Sequence, residues 1–219
     1  MSSEPTGFLY PFIESEEREP SALLVDLATS ARSKITESRR LRTDSVERNR
    51  EALAQAGAAM AARFARGGRL FAFGNGGSST DAEGTVQLFR DPPRGQGLPA
   101  LSLVDDRAVL TALANDVGYE LVFSRQIIAH AQPGDIAIGF STSGDSANML
   151  RAFEEASRRQ VLTVGLCGYE KAAMARTDAV DYCLVVHSES VHRIQETHDA
   201  LILELWSIVQ GHLDQGGTS

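Results

Sequence analysis

Five short apolar runs, at 70–73, 100–104, 136–140, 162–167 and 182–186, are separated by intervals long enough to hold a helix. Within each run polar and apolar residues hardly alternate, so each needs apolar cover on both sides. Strands of a parallel sheet with helices on either face have that cover. The chain is therefore read as an α/β protein built on a doubly wound parallel sheet. Such sheets bind ligands beyond the carboxyl ends of their strands, where the strand order reverses, which directs attention to the loops after Phe73 and Phe140.

The flanks read differently. Residues 1–20 hold three Pro, five Glu and an aromatic group of Phe8, Tyr10 and Phe12, the pattern of an extended arm. From Leu24 the apolar positions Leu24, Leu27, Ala28, Ala31 and Ile35 keep helical spacing. A second helix is expected with Leu53, Gly57, Met60 and Phe64 on one face, opened by an Asp44/Glu47 capping box and ended by Gly67 and Gly68. The expected organisation is an arm at 1–20, N-terminal helices at 21–68, an α/β domain at 69–213 and a short tail at 214–219. In the last helix, 191–213, Leu201, Ile202, Leu203, Leu205, Trp206, Ile208 and Val209 cover most of the circumference. That requires burial on more than one face, and the expected cover is another subunit, the alternative being the two N-terminal helices.

Composition narrows the functional classes. Lys and Arg number 21 against 29 Asp and Glu, a net charge of −8, which removes the general electrostatic drive toward nucleic acid or an anionic membrane. No apolar run approaches the roughly 18 residues of a membrane span. The first residues carry acids where a signal peptide carries basic residues and a long apolar stretch, so a cytoplasmic location is expected. Cys167 and Cys183 lie inside apolar runs and read as small buried hydrophobes.

Two loops carry chemistry. GNGGSS, 74–79, joins a strand to a helix, with glycines that let a ligand approach backbone N–H groups and with Ser78 and Ser79 at the helix start. It departs from GxGxxG at Ser79, and no Lys follows as in a Walker loop, so dinucleotides and nucleoside triphosphates are not its expected ligands. STSGDS, 141–146, places Ser141, Thr142, Ser143 and Ser146 beside the unpaired N–H groups of another helix start. Neutral donors and a helix dipole in that pattern hold a phosphate monoester without lysines. The plainer alternative is that Asp145 or Ser146 merely caps the helix.

GNGGSS, ANDVG, STSGDSAN and RIQE, in this order over residues 45–210, resemble a sugar isomerase (SIS) domain of the phosphoheptose isomerase type. The resemblance implies a flavodoxin-like sheet, a homotetramer, and a sugar phosphate such as sedoheptulose 7-phosphate held by the serine-rich loop. It assigns Asn75, Gly76, Gly77 and Ser78 to the first ligand loop. Ser141, Thr142, Ser143 and Ser146 fall to the phosphate loop, Asn115 and Asp116 to the sugar chain, and Gln195 to a place beside the metal. Active members generally use zinc. Where the family has a His six and a Glu ten residues beyond the serine, this chain has Gly84 and Leu88. Leu203 replaces a second His, and His192 replaces the acidic residue before RIQ. The usual acid/base pair and three of four metal ligands are thus missing, so no metal is expected. Glu83 and His192 are the candidates for a substitute acid/base arrangement; Gln87 sits on the same helix as Glu83, and His187, Glu196 and His198 near His192.

The reading is a phosphosugar-binding SIS protein acting as a sensor or adaptor, with a possible protein partner. The competing reading is an active sedoheptulose 7-phosphate isomerase with a changed acid/base pair. A third rests on the TGFLYPFIESEE arm and the RDPP loop, which resemble SIS paralogues encoded beside hydrogenase accessory genes and would imply a maturation role.

Overall fold

The computed structural model describes residues 20–216; the expected arm lies outside the described residues but for Pro20, which opens α1 (Pro20–Arg48). The chain divides after Glu37 into two compact units. In the first, Leu24, Leu27 and Ile35 are helical but exposed. In the second, a three-layer α/β/α domain is built on a five-stranded parallel sheet ordered β2-β1-β3-β4-β5. The strands are β1 (Leu70–Gly74), β2 (Ala100–Ser102), β3 (Ile136–Ser141), β4 (Leu162–Cys167) and β5 (Tyr182–Val185). All five apolar runs are strands. β2 and β5 end before the expected 104 and 186.

The unbroken apolar runs have the predicted cause. Leu70 and Ala72 of β1 face a core shared with α2 (Arg50–Phe64), α3 (Gly77–Arg90) and α8 (Val191–Gly216). Phe71 and Phe73 face the opposite core, formed with α5 (Val122–His130) and α6 (Ala147–Arg158). There Phe73 meets the Phe123 and Phe153 rings at centroid distances of 5.3 and 5.2 Å. α4 (Arg107–Asp116) follows β2, and the short α7 (Ala173–Arg176) follows β4.

Two expectations at the helices are corrected. Asp44 and Glu47 do not form a capping box: both lie inside α1, where Asp44 pairs with Arg40 and Glu47 with Arg50. α2 begins instead after Asn49, whose amide faces the sheet. Its Oδ1 accepts from the Val185 N–H at 2.9 Å and its Nδ2 donates to the Val185 carbonyl at 2.9 Å. This side chain gives edge strand β5 the pairing that a further strand would supply. The second apolar face of α8 is covered within the chain. α2 lies so close that a Cβ on Gly57 would stand 2.4 Å from Ile208 Cγ2. Only Leu203 remains largely exposed among the apolar residues named for that helix. α8 also runs past Leu213 to Gly216. Loop 91–99 is strapped to it by Gln210, whose amide exchanges two hydrogen bonds with the Gln96 backbone at 3.1 and 2.9 Å.

Cys167 is buried as expected, and Cys183 is partly buried, with the sulfurs 3.7 Å apart on neighbouring strands. The hydrogen bond with Cys167, together with burial, holds the Cys183 thiol well above the ordinary thiol range. Among the described residues, no helix is long and apolar enough to cross a membrane.

Candidate functional site

β1 and β3 are adjacent and in register, with Gly74 opposite Phe140. Chain order reverses between them, so the loops leaving their carboxyl ends open a crevice at the switch point. Both hydroxyl- and glycine-rich loops emerge there.

In the first loop, Gly76 has φ +55°, a conformation that side chains resist, and it turns the chain directly into α3. Gly77 is the first residue of that helix. A Cβ there would stand 2.2 Å from Gln195 Nε2, so the absence of a side chain lets Gln195 of α8 close against the loop. Ser78 is buried beside it. Gly77 and Gln195 are thus brought together from residues far apart in sequence.

The second loop is shaped from within. Ser141 Oγ accepts the Gly144 N–H at 3.0 Å and lies 3.5 Å from Ser143 Oγ. Asp145 does not cap α6; its Oδ1 accepts the Ala173 N–H at 2.7 Å. Ser146 occupies the N-cap position of α6, but its hydroxyl makes no capping bond. Among the described residues the Thr142 and Ser146 hydroxyls make no hydrogen bond at all. They are donors held at a helix start whose own first N–H groups are also unpaired, an arrangement suited to an anion.

The two loops are joined through Asn75 by two residues that the sequence reading did not single out, Asn148 and Tyr119. Asn75 and Asn148 exchange reciprocal amide hydrogen bonds, both 2.9 Å, and the Tyr119 hydroxyl donates to Asn75 Oδ1 at 2.9 Å. Tyr119 opens a short 3-10 turn (Tyr119–Leu121) just after α4. Asn115 and Asp116 end α4, exposed, with Asn115 Nδ2 bonded to Asp116 Oδ1 at 2.8 Å. The link from this segment to the first loop is therefore Tyr119, not the side chains of Asn115 and Asp116. The available signal lay in the quoted motifs: Asn148 ends STSGDSAN and Tyr119 follows ANDVG.

The substitute acid/base candidates separate. Glu83 and Gln87 are exposed on α3, whereas Asp81, about 200° around the helix from Glu83, is buried toward α8. Asp81 Oδ2 lies 3.8 Å from Nδ1 of the fully buried His198. His187 pairs with Glu170 at 3.2 Å. Ser38 and Arg42 hold Glu196 below the usual carboxylate range, the Ser38 hydrogen bond contributing most. His192 is exposed in the first turn of α8, three residues before Gln195 and so on the same helix face.

A family model described as the SIS domain matches residues 35–168. The chain belongs to the SIS-domain family. Its relatives include a phosphoheptose isomerase of Roseiflexus, 43% identical over 67% of this chain and 75% of the relative. Another, from Thermodesulfovibrio yellowstonii, is 37% identical over 81% of this chain and 88% of the relative. The solved phosphoheptose isomerase of Neisseria gonorrhoeae superposes with a TM-score of 0.77 at 31% identity, covering 84% of this chain and 99% of that one. This is a SIS protein of the phosphoheptose isomerase family.

The residues present do not fit the zinc that the family resemblance implies. Gly84 faces open space with no donor atom, Leu88 packs on the core, and Leu203 is an exposed hydrocarbon. Among the described residues no group of three or more His, Cys, Asp or Glu stands close enough to hold a metal ion. This SIS domain thus combines two hydrogen-bonded loops at the switch point with aliphatic or glycine residues where the family resemblance places proton transfer.

Proposed function

We propose that the protein is a cytoplasmic phosphosugar-binding sensor or adaptor that lacks the usual zinc-dependent isomerase chemistry. One observation carries this reading. The hydroxyls of Thr142 and Ser146 stand free at the start of α6 beside the clamped Asn75, while Gly84, Leu88 and Leu203 offer no group that can take a proton. The ligand class follows from the neutral donors at a helix N-terminus, which suit a phosphate monoester, and from relatives named phosphoheptose isomerase. Ser141, Ser143 and Gln195 complete the binding set, with Asn115 and Asp116 at its edge.

Calorimetry with sedoheptulose 7-phosphate, followed by NMR of the same sample in deuterated water, tests the proposal. The expected result is saturable binding with neither conversion nor deuterium uptake at the carbon beside the carbonyl. Absence of binding overturns the reading. Binding with exchange establishes the second reading, an isomerase with a changed acid/base pair. That alternative is favoured by one feature, the exposed His192 on the helix face of Gln195.

The assembly proposed is a homotetramer. Its support is apolar surface left in water: Leu24, Leu27 and Leu203 are 65, 56 and 54% exposed. Light scattering at micromolar concentration is expected to give four times the 23.6 kDa of the chain; a monomeric mass would remove this part of the proposal.

A further inference from the structure

At the amino ends of β1 and β3, opposite the crevice, the turns at 66–69 and 129–135 line a cavity of about 680 Å³. A cavity of that size takes a whole metabolite, and the polar residues around it suit a polar one. Asp135 is the one acidic residue in the lining, and its buried carboxylate is fully engaged. Oδ1 accepts the Arg69 backbone N–H at 2.8 Å and Arg69 Nε at 3.4 Å; Oδ2 accepts Arg69 Nη2 and the Gln132 N–H, both at 2.8 Å. All four acceptor positions are thus taken. The same contacts hold Arg69 in place. Its Nη2 also donates to the His130 carbonyl at 2.7 Å, and its guanidinium lies 5.2 Å from the centre of the Phe71 ring. Arg69 Nη1 makes no hydrogen bond among the described residues, and neither do the side chains of Arg66, His130 and Gln132. With His130 neutral the lining carries a net charge of +1, in a chain whose net charge is −8. The end of α2, whose carbonyls would oppose an anion, is closed by the Gly67 and Gly68 N–H groups, bonded to the Phe64 and Arg63 carbonyls at 2.9 Å.

We propose that this cavity is a second ligand site, which binds a small metabolite by its oxyanion group, phosphate or carboxylate, through Arg66, Arg69 Nη1 and Gln132. The buried Asp135 is the positioning residue: it fixes one guanidinium in advance and has no lone pair left to compete with the ligand for donors. Arg66 and Gln132 are exposed and free to close on the anion. Guanidinium groups supply charge and N–H donors together, which is the chemistry an oxyanion needs where no helix N-terminus is at hand. The site is independent of the sugar phosphate reading. It shares β1 and β3 with the crevice but none of the residues assigned there.

The test is calorimetry on the Thr142→Val/Ser146→Ala variant, which weakens the phosphate loop, with inorganic phosphate and with acetate at matched ionic strength. One saturable anion per chain is expected, and the tighter of the two probes identifies the group. Adding Arg66→Ala should weaken that binding about tenfold, and adding Gln132→Ala about threefold. Both side chains are exposed and unbonded among the described residues, so folding is expected to persist, as melting curves will show. Arg69 is kept, because its loss would strand the buried Asp135. Absence of saturable binding of either anion overturns the proposal, as does the same affinity in both added variants. Equal heat from sodium chloride would show screening alone and overturns it too. Sedoheptulose 7-phosphate should bind Arg66→Ala as it binds the wild type; loss of its binding only in Arg66→Ala would mean that the cavity is the sugar phosphate site, and no second site exists. Failure of sedoheptulose 7-phosphate to bind the wild type overturns the crevice reading and leaves this one standing.

Discussion

Replacing Gly74 with alanine is expected to cost the domain about 3 kcal/mol and to remove ligand binding with it. Gly74 ends β1 and opens the first ligand loop. A Cβ there would lie 2.3 Å from the Ser78 carbonyl oxygen, 2.7 Å from its carbon and 3.1 Å from the Phe140 oxygen. All three are backbone atoms, in the first turn of α3 and the facing strand β3, so no side chain can swing aside. Either α3 moves off the sheet or the strands part. Thermal melting should register a fall of about 10 °C. Calorimetry should show sugar phosphate affinity lost even where most molecules remain folded, because the displaced helix start carries Ser78 and the Gly77 contact with Gln195. The control is Gly84→Ala on the same helix, where a Cβ meets nothing within 4 Å. It should be neutral or stabilise by about 0.5–1 kcal/mol through helix propensity. A Gly74→Ala variant that melts with the wild type would show that the strand-to-helix turn is looser than drawn.

That contrast between two glycines on one loop and helix shows what the sequence could reveal and what it could not. The strands were legible because burial on both faces writes itself into the run: Phe71 and Phe73 serve one core, Leu70 and Ala72 the other, and no polar residue interrupts them. The positions of both ligand loops followed from the same runs. The inward turn of Asp81 was not singled out, although it lies about 200° around the helix from the exposed Glu83 that was. The join between α1 and α2 was not legible, because Asn49 acts on Val185 and local spacing favoured Asp44 and Glu47. For the same reason Asn148 and Tyr119 escaped attention. Each is an ordinary loop or helix residue until the sheet brings their partner Asn75 between them. Contacts across a fold leave no period in the chain.

The serine-rich loop gives the second large effect, and here the structure divides residues that look equivalent in sequence. Thr142→Val and Ser146→Ala are each expected to weaken sugar phosphate binding by about 1–2 kcal/mol, the worth of a hydrogen bond to a charged group. Together they should lower affinity about a hundredfold. Neither hydroxyl is bonded to the protein among the described residues, so the melting temperature should hardly move. Ser141→Ala is different in kind. Its oxygen accepts the buried Gly144 N–H at 3.0 Å, so its removal strips a support from the loop and should lower stability as well as affinity. A pattern in which Thr142 and Ser146 affect binding alone, and Ser141 both, means that the free hydroxyls are held for a ligand. Wild-type affinity in the Thr142→Val/Ser146→Ala double variant would mean that the phosphate is bound away from the start of α6, and the sensor reading would lose the observation that carries it.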